Sequence, residues 1–451
     1  MKKKFFGGLL ICLFLIQGTS SVGAQLNPTT TAAPNLLAWE AAQPEGGWQR
    51  WAPRPSLAPE ATVSSATGNS APQLVLASKG NRFVLGGWRR QTGPIQSGKI
   101  YHFRVEVLLE GSSDPRRSLL CQLRWLGKEL KEEDNGLEYV IHARKIADGK
   151  FLLEQSFQAI PGATSLQASL FLQWIPGIIA KFTAVSLVEE DPLPPRKVRV
   201  ATIYWRPAGP STPSANISAF ARLIDQTASQ HPDMVLLPEA APIINAGLTA
   251  FEGAQLPRGP AFQLLSEKAR SYHCYIIYGA YEKQGALAFN SAFILDRQGK
   301  LAGKYRKVQL PSGEVEGGLS PGDAFRTFQL DFGRIGILIC HDSSFSEAAR
   351  VETLEGAEII FIPIWGGDMP VLRSRAMENG IWVVTSGYDV ASAIISPAGE
   401  IMDSTWKDHG NGIAFFEIAL NRVIRRPWLG NWNNAFTQQR RPEAYQRLNE
   451  R

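Results

Sequence analysis

Three reactive side chains stand where short apolar runs end. Glu239 follows "MVLLP", Lys307 follows "GKYR" and Cys340 follows "GILI". A thiolate attacks a carbonyl carbon. A carboxylate takes the thiol proton and later activates water. An ammonium, with a backbone N–H, stabilises the oxyanion that forms between those steps. The three lie 68 and 33 residues apart, so only a fold can bring them together. Each also has a plainer reading. A strand-end Cys is usually packed, a Glu after Pro is usually solvated, and a Lys beside Tyr305 and Arg306 is usually surface.

The elements that would position them begin near residue 198. "VRVATIYW" and "MVLLPE" read as short buried strands, with Ile217, Phe220, Ala221 and Ile224 at helical spacing between them. "CYIIYGAY" follows, and then a hairpin turning at Asp296 to Gly299. "RIGILICHD" and "AEIIFIPIW" flank the helical "SFSEAARVETLEG", and "RSRAMENG" precedes the strand "IWVVTSG". Such alternation of strand, helix and hairpin predicts an α/β domain. Strand ends are where an α/β domain builds sites on rigid elements. After Cys340, Asp342 and Glu347 are expected to hold the turn, with Ser346 and Glu347 opening and capping the next helix.

Residues 36–190 have a different texture. In "YHFRVEV" Tyr101, Phe103, Val105 and Val107 share one face. In "CQLRW" Cys121, Leu123 and Trp125 do the same, and in "LQASLFLQW" Leu166, Ala168, Leu170, Leu172 and Trp174 line up. Period-two alternation of this kind predicts half-buried antiparallel strands, and their number predicts a β-sandwich. "EEDPLPPRK", with three prolines in four residues, opposes helix and sheet and places a linker at 191–197.

The N-terminus reads as an export leader. "MKKKFF" is basic, "GGLLICLFLI" is apolar but too short to span a bilayer, and Val22 and Ala24 stand where a signal peptidase prefers small residues. Cleavage after Ala24 is expected, with a polar linker at 25–35 and an exported, periplasmic or extracellular product. Losing Lys2, Lys3 and Lys4 lowers the formal charge from +6 to +3. No basic stripe with interleaved aromatics marks a nucleic-acid partner. The odd count of Cys121, Cys274 and Cys340 leaves at least one free thiol in an oxidising compartment. No cysteine pair has metal-ligand spacing and there is no H-E-x-x-H, so neither metal nor cofactor is expected.

Several stretches together resemble the nitrilase, or carbon–nitrogen hydrolase, superfamily over about residues 198–451. They are "LLPEAA", "GKYRKVQLPSGE" and "GILICHDSSFSEAAR", supported by "FNSAFILDRQGK", "RSRAMENGIWVV", "SAIISPAGEIM" and "RRPEAYQRL", all in family order. The resemblance implies an αββα sandwich that pairs with a second copy. It implies Glu239 as general base, Lys307 as oxyanion-stabilising lysine and Cys340 as nucleophile. The His341 N–H would be a second oxyanion donor and Glu314 a second glutamate beside the lysine. Lys307 would favour the Cys340 thiolate. Gln309 and Ser346 stand where family members often have His and Pro. "Cys-His-Asp" departs from the Cys-Trp-Glu of nitrile-hydrolysing branches and is nearer the Cys-Tyr-Asp of amidase-like ones, which implies a small-molecule amide or N-carbamoyl substrate. Tyr281 and Trp365 are candidates to line the pocket, although Trp365 also reads as core.

Residues 36–190 resemble, more loosely, jelly-roll carbohydrate-binding modules. Six of the twelve tryptophans lie there, and exposed ones would stack on a glycan, whereas alternation assigns Trp125 and Trp174 to the apolar face. Three readings compete: a thiol amidohydrolase, an acyltransferase or nitrilase using the same residues, and a glycan-binding protein on a hydrolase-like scaffold.

Overall fold

A computed structural model of the chain describes residues 33–40, 42–64, 72–128, 130, 136–192, 194–405 and 412–449. The expected leader and most of the 25–35 linker lie outside the described residues. Among the described residues no helix is long and apolar enough to cross a membrane.

The first part is a sandwich of two antiparallel sheets. One orders Gln49–Trp51, Leu85–Thr92, Ser165–Gln173, Leu119–Leu126 and Leu137–Tyr139. The other orders Glu60–Ser64, Gln73–Ala77, Ile179–Glu190, Ile100–Glu110, Lys150–Gln158 and Ala143–Ala147. The inward residues of each strand, among them Trp88, Phe103, Val105, Leu123, Trp125 and Leu170, form one core between the sheets. Trp88 and Trp125 stay there because their ring N–H groups find partners, the Val75 carbonyl at 3.3 Å and Glu138 Oε1 at 3.1 Å. Trp174 departs from the expected pattern. The strand stops at Gln173, and Trp174 adopts a left-handed backbone with φ of 50°, which turns it out of the core. Alternation assigns a face only while the backbone stays extended.

The second part has four layers. One six-stranded sheet orders Leu301–Arg306, Leu287–Leu295, Tyr275–Gln284, Met234–Leu236, Lys197–Tyr204 and Gly412–Ala419. The other orders Thr327–Gln329, Arg334–Ile337, Ile359–Pro363, Trp382–Ser386, Ala393–Ile395 and Ile401–Ser404. Val198, Met234, Ile277, Ile337 and Phe361 meet between them. Helices Pro213–Thr227 and Pro260–Tyr272 cover the first sheet, and Ser346–Leu354 and Met369–Asn379 cover the second. This is the αββα arrangement. Helix Pro213–Thr227 starts where Thr212 accepts a hydrogen bond from the Ala215 N–H and Pro213 fills the first turn, and it buries Ile217, Phe220, Ala221 and Ile224. Helix Ser346–Leu354 has no such cap. Phe345 is its cap residue, with no side-chain bond, and Ser346 Oγ donates to Glu347 Oε2 at 3.2 Å instead of capping.

The C-terminal segment returns to the sandwich. Helix Trp432–Gln438 packs Ala435 against Leu137 and Tyr139. Glu138, 1 % exposed, pairs there with Arg425 and accepts from Asn431 Nδ2 at 2.8 Å and from Trp125. A buried carboxylate with three donors is satisfied, and removal of Arg425 would leave its charge uncompensated.

Candidate active site

Glu239, Lys307 and Cys340 each lie one to three residues beyond strand ends Leu236, Arg306 and Ile337. The strand carrying Gly279 passes so close to Glu239 that a Cβ at Gly279 would meet the Glu239 Cα at 2.6 Å, which reserves the position for glycine. Cys340 opens the tight turn Cys340–Ser344 with φ of 46°. A left-handed backbone at a non-glycine residue stores strain, and such strain collects at functional sites.

Asp342 holds that turn, as expected, and does more. Its Oδ2 accepts from the Ile339 N–H at 3.0 Å and from the Tyr305 hydroxyl at 2.8 Å. Its Oδ1 accepts from the N–H groups of Gln309 at 2.7 Å and Val308 at 3.2 Å. One buried carboxylate therefore ties the segment leaving Lys307 to the turn bearing Cys340.

Lys307 is 1 % exposed. Its Nζ lies 3.0 Å from Glu239 Oε1 and 3.1 Å from Glu314 Oε1. Asn290, in the hairpin strand beside it, donates Nδ2 to the same two atoms, at 2.6 Å to Glu239 and 2.7 Å to Glu314. The Asn290 carbonyl also accepts the Lys307 N–H at 2.8 Å. Glu239 Oε2 is buried and has no hydrogen-bond partner among the described residues. The two carboxylates thus share one cation and one amide; Glu314 Oε2 also lacks a hydrogen bond but lies 3.0 Å from Lys307 Nζ, whereas Glu239 Oε2 stays uncommitted.

Charge follows from this packing. Burial works against the Lys307 ammonium, but Glu239, Cys340 and Glu314 outweigh it and hold its pKa above the ordinary range. Burial pushes the Glu314 carboxyl up, opposed by Lys307 and aided by Glu239. For Cys340, burial comes first and Glu239 adds to it, raising the thiol to about 12. Lys307 and the backbone at Trp365 and Gly366 pull it down without winning. Lys307 thus favours the Cys340 thiolate, as expected, but it is outweighed. The sulfur rests as a thiol because desolvation and the nearby carboxylate exceed the pull of one ammonium. A base must remove the proton during reaction.

Cys340 Sγ lies 3.8 Å from the Gly366 carbonyl, beside Trp365. Trp365 is half-buried and meets the Tyr388 ring edge-on at 5.2 Å. Tyr281 is half-buried too, and burial, then Glu239 and Glu314, hold its phenol above the ordinary range. Both pocket candidates therefore border the site. His341 is half-buried with its ring 5.3 Å from Phe345. Sequence reasoning missed Asn290 and Tyr388. Asn290 stood inside the quoted segment "FNSAFILDRQGK", the one signal that pointed to it. Tyr388 is buried with its hydroxyl unpartnered among the described residues.

The description carbon–nitrogen hydrolase matches residues 199–427. A nitrilase of Pyrococcus abyssi is 31 % identical over 272 residues, 55 % of this chain and 99 % of that protein. The omega-amidase of Homo sapiens is 29 % identical, covering 47 % of this chain and 86 % of its own. The N-carbamoylputrescine amidase of Arabidopsis thaliana is 26 % identical, covering 52 % and 90 %. Among solved structures, a carbon–nitrogen hydrolase from Helicobacter pylori G27 aligns with a TM-score of 0.49 at 23 % identity, over 57 % of this chain and 99 % of that one. The match ends at Pro427, just before the helix that returns to the sandwich. The chain belongs to the carbon–nitrogen hydrolase family, enzymes of the nitrilase and amidase type.

Proposed function

We propose that this protein is an exported thiol hydrolase that cleaves a small amide or N-carbamoyl C–N bond through an acyl-enzyme on Cys340. Glu239 takes the Sγ proton as sulfur bonds to the carbonyl carbon. Lys307 and the His341 N–H hold the oxyanion. The C–N bond breaks and the amine leaves with the proton from Glu239. Water then gives its proton to Glu239 and attacks the thioester. The C–S bond breaks and the proton returns to sulfur. Glu314 keeps the lysine cationic beside Glu239.

The observation that carries this reading is the uncommitted Glu239 Oε2 in a site whose thiol rests protonated. Such a thiol needs a base; of the two carboxylate oxygens here without a hydrogen bond, Glu314 Oε2 lies 3.0 Å from Lys307 Nζ, which leaves Glu239 Oε2 to serve. The names of the relatives support amides and nitriles alike, and "Cys-His-Asp" favours amides. Export rests on the basic, apolar start of the sequence. Pairing with a second copy through the hydrolase unit is supported by Val351 and Met377, exposed on adjacent helices. A glycan partner is assigned to the sandwich.

The test is turnover of amides, N-carbamoyl compounds and nitriles, with Cys340→Ala as the blank. Cys340-dependent release of ammonia from amides or N-carbamoyl compounds is expected. Conversion of nitriles alone would overturn the amidase reading.

A further inference from the structure

The outer face of the five-stranded sheet and the returning helix Trp432–Gln438 enclose a cleft of about 300 Å3. Its walls carry four glutamines, Gln122, Gln173, Gln438 and Gln439, with Tyr139, Trp174 and Leu120. Gln173 and Gln438 are only 4 % and 3 % exposed. Both spend Nε2 on the same backbone. Gln438 reaches the Leu119 carbonyl at 3.1 Å and that of Arg116 at 3.5 Å, and Gln173 reaches them at 3.5 and 3.4 Å. These bonds fix each amide plane, yet neither Oε1 has a hydrogen-bond partner among the described residues. Gln439 Nε2 donates to the Tyr139 hydroxyl at 2.8 Å, which leaves that phenol's own proton to be offered. The Gln122 side chain makes no hydrogen bond among the described residues.

None of the glutamine oxygens is sealed from the cleft, so water answers them there, and a ligand with matching donors and acceptors would replace that water. An amide offers a donor and an acceptor, as does each sugar hydroxyl. No lining side chain is a carboxylate, ammonium or guanidinium, which disfavours a charged occupant. Cations stand outside the lining: Arg441 lies 4.9 Å from the Trp174 ring centroid and is paired with Glu443, and Arg124 acts on the Tyr139 phenol from the neighbouring strand. Trp174 reaches the cleft only through its left-handed backbone, and with Leu120 it supplies an apolar wall. Convergent polar groups beside an aromatic wall are the usual make-up of a small-molecule site, and the volume is at the small end for one.

We propose that this cleft binds a neutral saccharide, one pyranose unit or the end of a chain. The glutamine amides and Tyr139 would meet its hydroxyls, and Trp174 and Leu120 the apolar face of its ring. This rests on the reading of the sandwich as glycan-binding, gives it a place and a ligand class, and is independent of the chemistry at Cys340. Because Gln438 and Gln439 come from the C-terminal helix, the site is complete only when that helix is docked on the sandwich.

Calorimetric titration of the full chain with glucose, galactose, mannose, N-acetylglucosamine and their disaccharides tests it, with glucuronate and galacturonate as the anionic arm. Saturable binding of a neutral saccharide is expected, weakened roughly tenfold or more by Gln122→Ala and by Trp174→Ala, and unchanged by Trp51→Ala. Gln122 is half-exposed and holds nothing in place, so its variant keeps the test valid if Trp174→Ala misfolds. Binding lost in Trp51→Ala but kept in both cleft variants would overturn this site while leaving the glycan reading. It would move the glycan to the separate cleft lined by Arg50, Trp51 and Arg54. Preference for the uronates would overturn the neutral class. Binding of no saccharide would overturn both readings.

Discussion

Asn290 Nδ2 donates to Glu239 Oε1 at 2.6 Å, on the same oxygen that Lys307 Nζ approaches at 3.0 Å. With Glu314 on the other side of both donors, Asn290 aims Glu239 and leaves Oε2 as its free oxygen. Asn290→Ala is therefore predicted to lower kcat/KM roughly ten- to hundredfold, with kcat falling more than KM rises, because Glu239 is no longer aimed. Steady-state rates beside the conservative Asn290→Gln check this. A change in KM alone would reduce Asn290 to a packing role.

Asp342 holds both the strand end at Lys307 and the turn at Cys340 with four accepted hydrogen bonds. Asp342→Asn cannot accept from all four donors, because one of its two atoms becomes a donor. A loss of about 1–3 kcal/mol in urea unfolding is expected. kcat should fall more than KM rises, since what moves is the alignment of lysine and sulfur. Wild-type kcat in this variant would show that the two segments align without it.

Burial alone raises the Cys121 thiol to about 12, and burial is the leading cause of the same shift at Cys274. Neither faces the Glu239 and Lys307 that act on Cys340, although Asp233 and Arg297 act on Cys274. A brief exposure of native protein to a haloacetamide is predicted to modify Cys340 and spare the other two, while unfolding in urea frees all three. Peptide mapping reads the sites, and native labelling at Cys274 would contradict the assignment.

Glu352 is fully buried behind the Cys340 strand. Its Oε1 accepts from the Ile337 N–H at 3.1 Å, and Oε2 approaches Gly336 so closely that a Cβ there would lie 2.2 Å away. Burial, with Asp342 and Glu355, pushes its carboxyl well above the ordinary 4.5, against the Ile337 N–H. The folded state therefore keeps a proton that the unfolded chain releases. The resulting stability is complete below about 4.5 and declines as pH rises toward the folded pKa, by up to about 1.4 kcal/mol per pH unit. Glu352→Gln should flatten that slope in urea titrations from pH 5 to 8. An identical slope in the variant would show that other groups set it.

The layers were legible because they rest on local patterns. Alternation around Phe103 and Leu123, and helical spacing from Ile217 to Ile224, match the observed strands and helix. What was not legible depends on distant contacts or on a balance of terms. Asn290 meets Glu239 from 51 residues away, and Asn431 meets Glu138 from 293. No period in the sequence encodes either. Trp174 kept the period of its strand on paper, but one backbone angle removed it from the face that the period assigned. The protonation of Cys340 is a balance between burial, a carboxylate and an ammonium, and burial is visible only in the fold.

The central claim is that turnover passes through an acyl group on Cys340. Intact-protein mass spectrometry after rapid acid quench of the wild type turning over a small amide measures this directly. The account predicts a transient adduct of the acyl mass, mapped to the peptide bearing Cys340, with adduct and turnover both lost in Cys340→Ala. Turnover that persists in Cys340→Ala, or an adduct on any other residue, would contradict it.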